Sequence, residues 1–345
     1  TPLTWVNDVL MAFFFFFVGM EIKRELTIGE LASVKKSLLP ILAALGGMIC
    51  PAIFFWLFNG HTEFKHGWGI PMATDIAFSL AVLSLLGKKI PVQLKIFLAA
   101  LAIIDDLGAV VMIALFYSSS LHFLYLGGAL LSFLMVLGLN KINTKSFTIV
   151  YLIPALLLWY CLFNSGIHAT IAGVVMAFSM PLDKLAKVEH LLHKPVNFFI
   201  MPLFALANTA IILPSSFSGV YNSSIALGII TGLVIGKPIG IFLFSFIATK
   251  LGIASMPSKS SYKQLLGIGM LGGIGFTMSI FTSSLAYNLP ELLVISKVAV
   301  ITGSIGSSIA GYIYLTRIAR QPALAQEYEK EIEHANEMNP NIALG

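Results

Sequence analysis

Ile96–Tyr117 reads IFLAALAIIDDLGAVVMIALFY, an unbroken run of 22 residues between Lys95 and Ser118-Ser119-Ser120. As a helix rising about 1.5 Å per residue, it matches a hydrocarbon core roughly 30 Å thick. A helix apolar on every side has no solvent face, so it belongs inside a large core or in lipid. Asp105 and Asp106 are the tenth and eleventh residues of the run, which places two adjacent carboxyls near the bilayer midplane. On insertion scales each costs on the order of 2.5–3.5 kcal/mol there. A segment selected only to span would carry neither acid, so both are read as functional.

The remaining chain has the same character. Of its 345 residues 57% are hydrophobic and 11% charged, against about 25% charged in an ordinary soluble domain. Eleven apolar segments can be marked, near 3–22, 38–58, 69–86, 93–117, 122–139, 147–163, 166–181, 195–213, 223–249, 264–286 and 292–316. The linkers between them are short. The expected architecture is an all-α polytopic membrane protein. It forms one integral domain over residues 1–320, followed by a polar cytoplasmic tail at 321–345 that holds five glutamates. Cys50 and Cys161 lie in apolar runs and are read as reduced packing residues. The net charge of +5 requires no nucleic acid, because loop placement explains it.

That placement is regular. Alternate loops hold the basic residues: Lys23, Arg24, Lys35 and Lys36; then Lys88, Lys89 and Lys95; then Lys141 and Lys145. Lys184, Lys187 and Lys194 follow, then Lys250, Lys259 and Lys263, then Arg317, Arg320 and Lys330 in the tail. The intervening loops hold Lys65 alone. The positive-inside rule puts the C-terminus in the cytoplasm and Thr1 outside. An outside start, without Met, leads to the expectation of one further helix upstream and twelve in all.

Lys237 and Lys297 lie within apolar segments. Lys297 is near an outer end and is expected to snorkel. Lys237, in LVIGKPIGIF, is too deep to do so. Two spans are interrupted by their own residues: Pro71-Met72-Ala73-Thr74-Asp75 in the third, and Gly272-Gly273-Ile274-Gly275-Phe276-Thr277 in the tenth. Each break is in the middle member of a three-helix set, and the two sets enter the membrane from opposite sides. Such interruptions point to a midplane site in a transporter. A broken helix exposes about half a positive charge at one new end and half a negative charge at the other. Asp75 is placed to offset the positive ends and Lys237 the negative ones.

Asp105 and Asp106 point about 100° apart on one helix, so one carboxyl can face a partner such as Lys237 and the other a wet cavity. A carboxylate, with Thr hydroxyls and freed carbonyls, suits a dehydrating Na⁺ or Li⁺ and also accepts a proton. At the cytoplasmic face, GMEIKREL carries Glu21, Lys23, Arg24 and Glu25, and a later loop carries Glu189, His190 and His193. These read either as a pH-sensing cluster or as a solvated loop with i,i+4 pairs. His168, in SGIHATIAG, reads as a helix-packing residue. A cation channel, a Na⁺-coupled solute symporter and an intramembrane aspartyl protease stand as alternatives. A protease dyad needs carboxyls converging to about 3 Å, and neighbours on one helix diverge.

The strings WVNDVLMAFFFFFVGMEIKREL, PMATDIAFSLAVLSLLG, KIFLAALAIIDDLGAVVMIALFY, SGIHATIAG, EHLLHKPVNFFIMPLFALAN, GLVIGKPIGIFLF and GIGFTMSIF together resemble the NhaA Na⁺/H⁺ antiporters, in family order over nearly the whole chain. That family itself exemplifies interrupted helices in inverted repeats, so the two lines of inference are not independent. The resemblance implies twelve helices with two broken ones crossing at the midplane, in a bacterial inner membrane. It implies a transporter, not an enzyme, without cofactor: electrogenic, pH-regulated exchange of one Na⁺ or Li⁺ outward for about two protons inward. It assigns cation and proton binding to Asp105 and Asp106, pairs Lys237 with the first Asp, and places Thr74 and Asp75 at the break. It assigns Glu21, Arg24, Glu25, Glu189 and His190 to a pH-responsive region. It also implies a homodimer, supported in the family by a hairpin after the first helix; neither precedes Thr1 in this sequence.

Overall fold

The computed structural model describes residues 2–87, 90–118, 121–141, 147–210, 217–258 and 260–319. The tail expected at 321–345 lies outside the described residues, as do Lys88, Lys89, Lys145, Lys259, Arg320 and Lys330. In chain order the helices are α1 (Trp5–Thr27) and α2 (Val34–Asn59), then a 3₁₀ segment (Glu63–Met72) followed by α3 (Ile76–Ser84). Next come α4 (Val92–Phe116), α5 (Phe123–Leu139), α6 (Phe147–Ser165), α7 (Ile171–Ser179), α8 (Leu182–Pro195) and α9 (Met201–Thr209). After a short turn at Phe217–Tyr221 follow α10 (Ser224–Lys250), α11 (Tyr262–Gly272), α12 (Phe276–Ala286) and α13 (Pro290–Ala319). All regular structure among the described residues is helical.

Five of these, α1, α2, α4, α10 and α13, are long and apolar enough to cross a membrane. Two bent pairs, the 3₁₀ segment with α3 and α11 with α12, raise the number to seven. The other apolar segments expected from the sequence are helical too: α5 has 17 residues, α6 19 and α7 9, and α9 continues from α8 through a π-helical turn at Val196–Ile200. At about 1.5 Å per residue, the 17 residues of α5 reach about 26 Å. On length and composition the structure therefore supports five to seven spans where eleven segments were marked. Cys50 and Cys161 are free thiols. Lys297 does not reach out as expected; it is buried in α13 with 7% exposure.

Lipid is as apolar as leucine, so helices in it associate through close packing rather than hydrophobic burial. The chain follows that rule. α2 lies along the second half of α10 with Gly46 against Gly240, and a Cβ on either would collide with the backbone of the other. Likewise α1 meets α7 where Gly173 approaches the backbone of Ala12 and Phe16. Two packing groups result: α2, α4, α10, α13 and the bent pairs in one, and α1 with α5–α9 in the other. Between them lies an aromatic contact, with the Phe281 ring 5.5 Å from that of Phe15 and 6.2 Å from that of Phe204.

The two breaks have evident causes. Pro71 and the extended backbone at Ala73 (ψ 150°) stop the 3₁₀ segment, and Asp75 then caps α3 through its side chain. In the second pair Gly272, Gly273 and Gly275 surround Ile274, and the chain turns before Phe276. The bends are 44° and 47°. They meet: the Asp75 amide donates to the Ile274 carbonyl at 2.6 Å.

Candidate functional site

Asp105 and Asp106 lie within α4, 1% and 3% exposed. The helix carries them there because its flanks are Ala-, Leu- and Ile-rich, with Pro91 ahead of its first turn. Their surroundings differ. Asp105 Oδ2 is 2.9 Å from Lys237 Nζ, and it accepts from Thr74 Oγ1 at 2.6 Å. Lys237, fully buried in α10, also donates to the Met72 carbonyl at the end of the 3₁₀ segment. Among the described residues, Asp106 has no cationic side chain bonded to it, and Oδ1 of each aspartate lacks a hydrogen-bond partner. An unsatisfied buried acceptor costs about 1–3 kcal/mol, more when charged. The site therefore has one paired carboxylate and one with unused capacity for a proton or a cation.

Side chains from several helices neutralise the two breaks. Asp75 accepts from the Phe78 amide at 3.3 Å through Oδ1, and through Oδ2 from the Thr277 amide at 3.1 Å and the Thr277 hydroxyl. It thus touches the N-termini of both α3 and α12. At the opposite, carbonyl-bearing ends, Lys237 meets Met72, Thr74 Oγ1 lies 2.8 Å from the Gly272 carbonyl, and Ser79 donates to the Leu271 carbonyl at 3.0 Å. Asp75 and Lys237 are therefore both at the crossing. Sequence reasoning did not single out Ser79, or Ser304 of α13, whose Oγ accepts from the Gly275 amide at 3.3 Å and the Phe276 amide at 3.1 Å. Thr277 had been noted only as the hydroxyl after the glycines.

The residues expected at the cytoplasmic face are brought together in part. Arg24 of α1 pairs with Glu189 of α8 and lies 3.7 Å from Glu25. Glu25 accepts from the Glu30 amide at 3.0 Å. Burial pushes the Glu189 carboxyl above its ordinary value, opposed by Arg24 and by His193. Glu21 sits one turn before Glu25 on α1, partly buried. His190 is exposed on α8 and joins none of these contacts, whereas His193 packs its ring against Phe17 at 5.9 Å. Lys23 caps the end of α7, donating to the Phe178 carbonyl at 2.8 Å and to the Met180 carbonyl. His168 packs as expected: Nδ1 lies 2.8 Å from Thr170 Oγ1, and the ring meets Phe281 edge-on at 5.5 Å.

A family model described as Na⁺/H⁺ antiporter 1 matches residues 1–315. The chain is 51% identical over 321 residues to "Na(+)/H(+) antiporter NhaA 2" of Flavobacterium johnsoniae, covering 91% of this chain and 78% of that one. It is 47% identical over 334 residues to the NhaA antiporter of Cytophaga hutchinsonii, covering 95% and 86%. To the NhaA antiporter of Helicobacter pylori it is 43% identical over 368 residues, covering 93% and 84%.

Proposed function

Since the chain belongs to the NhaA family of Na⁺/H⁺ antiporters, we propose that its exchange of Na⁺ for H⁺ takes place at Asp106 and Asp105. It is a multi-pass transporter, and the protease, channel and symporter alternatives are set aside with that membership. The observation that carries the site assignment is the inequality of the two aspartates. Oδ1 is unpartnered in both, but Asp105 is held at Oδ2 by Lys237 and Thr74, while Asp106, nearly as buried, has no such ammonium or hydroxyl partner among the described residues.

The mechanism follows from that inequality. Asp106 binds either a proton or Na⁺, with Li⁺ as a second substrate of the same hard-oxygen chemistry. Asp105 and Lys237 hold the second exchangeable proton between them. Loading Na⁺ onto ionised Asp106 and Asp105 displaces about two protons, so each cycle moves net charge. Thr74, Asp75 and Lys237 compensate the ends of the two broken helices. Exposure of the aspartates alternates between the two sides of the membrane as the packing group bearing them moves against the other.

Finer features belong to the same proposal. The shorter helices complete the eleven membrane segments of an inverted-repeat, single-domain transporter, a reading supported by two bent pairs of nearly equal angle. The C-terminus is cytoplasmic, the membrane is the bacterial inner one, and the protein works as a homodimer in the lipid bilayer. Glu21, Arg24, Glu25, Glu189 and His190 form the pH-responsive region, with the Arg24–Glu189 pair at its centre.

In proteoliposomes, a Na⁺ gradient imposed on the wild-type protein drives proton flux in the opposite direction. Asp106→Asn abolishes that flux while the protein still folds. Na⁺-driven proton flux undiminished in Asp106→Asn would refute the site.

A further inference from the structure

α12 cannot cap its own N-terminus. Its cap position is Gly275, which has no side chain, and a Cβ there would run into Ser279 Oγ and come within 3.1 Å of the Ala73 carbonyl. The first amides of a helix need acceptors nonetheless, and here Gly275 and Thr277 are buried and Phe276 partly so. The acceptors come from elsewhere: Asp75 takes the Thr277 amide, and Ser304 of α13 takes the Gly275 and Phe276 amides with a single hydroxyl oxygen. Ser304 is 4% exposed.

We propose that Ser304 is a positioning residue for the cation site, fixing the α12 N-terminus so that Asp75 and Thr74 stay registered against Asp105. This rests on the assignment of the ion site to Asp105 and Asp106. The contacts form a continuous chain. Ser304 holds Gly275 and Phe276; the next residue, Thr277, holds Asp75 through its amide and its hydroxyl; Asp75 follows Thr74; and Thr74 touches Asp105 at 2.6 Å. Without the Ser304 oxygen, a buried amide at Gly275 and a part-buried one at Phe276 lose their acceptor, and the nearby Asp75 has both oxygens already engaged by Phe78 and Thr277. The Asp75 carboxylate then moves toward the bare amides, and Thr74 moves with it.

Na⁺-driven proton flux in proteoliposomes tests this across Ser304→Ala, Ser304→Thr, Ser304→Val, Ser307→Ala and Asp106→Asn. Ser304→Ala is expected to raise the apparent KM for Na⁺ about tenfold with maximal rate within about twofold. Ser304→Thr keeps the acceptor and stays within about twofold of wild type, while Ser304→Val, the same shape without it, behaves like Ser304→Ala. Ser307 is on the same helix and equally buried, but its hydroxyl serves the Leu233 carbonyl at 3.3 Å, so Ser307→Ala leaves KM unchanged. An unchanged KM in Ser304→Ala overturns the proposal, as does an equal rise in Ser304→Thr or Ser307→Ala. Should Ser304→Ala fail to fold, equal KM values for the Thr and Val variants overturn it and a tenfold gap supports it. Normal exchange by Asp106→Asn instead removes the premise, whatever the Ser304 variants do.

Discussion

Asp105 and Asp106 share a residue type, a helix and near-complete burial, yet one is engaged by an ammonium and a hydroxyl and the other is not. A buried ion pair loses about 3–5 kcal/mol when one partner is removed, whereas replacing both by apolar groups is often neutral or stabilising. Lys237→Met alone is therefore expected to lower the melting temperature in detergent clearly. The double variant Asp105→Leu/Lys237→Met recovers most of that loss yet transports nothing. A double variant no more stable than the single would show that Lys237 supports the fold by another route. At this scale the charged residues were legible in the sequence because an ion at mid-membrane is costly and has few structural explanations. The hydroxyls were not. Thr282 and Ser283 donate to carbonyls four residues back in their own helix, and nothing in the sequence separates them from Ser304, which reaches across to α12.

The breaks were legible among the elements, because proline and clustered glycines act on the backbone directly. Short helices were less so: apolar runs look alike whether a helix continues or stops, and α7 ends after 9 residues. The cluster around Arg24 shows a similar limit, since the sequence placed His190 and His193 in one loop but could not say that this stretch is helical or that only His193 turns toward α1. The Arg24–Glu189 pair ties α1 to α8 and has a pH dependence whose sign is fixed. The Glu189 carboxyl is raised in the fold, chiefly by burial, so the folded state binds its proton more readily than the unfolded one. Its contribution to stability is present at low pH and declines as pH rises through the raised value. Glu189→Gln lacks that decline, so its melting temperature relative to wild type is expected to be higher at pH 8 than at pH 5. An offset that is constant, or that falls with pH, would contradict this. The arginine is 41% exposed in the pair, so solvent screens part of the effect.

Across the whole molecule, the crossing of the two broken helices belongs to one packing group, and the aromatic contact around Phe281 separates it from the other. In the proposed mechanism that contact changes as the aspartates turn from one side of the membrane to the other. A disulfide between Phe15→Cys and Phe281→Cys, made after Cys50 and Cys161 are replaced by serine, is expected to stop exchange and a reductant to restore it. Full activity in the oxidised protein would mean that the two groups do not move apart there. The proposed site amounts to one competition, between H⁺ and Na⁺ for the same buried carboxylates, and proton release measures it without transport. When Na⁺ is added to the purified, weakly buffered protein at a pH where the site is protonated, wild type is expected to release about two protons per Na⁺ bound and Asp106→Asn none. Na⁺ binding without proton release, or full release from Asp106→Asn, would contradict it.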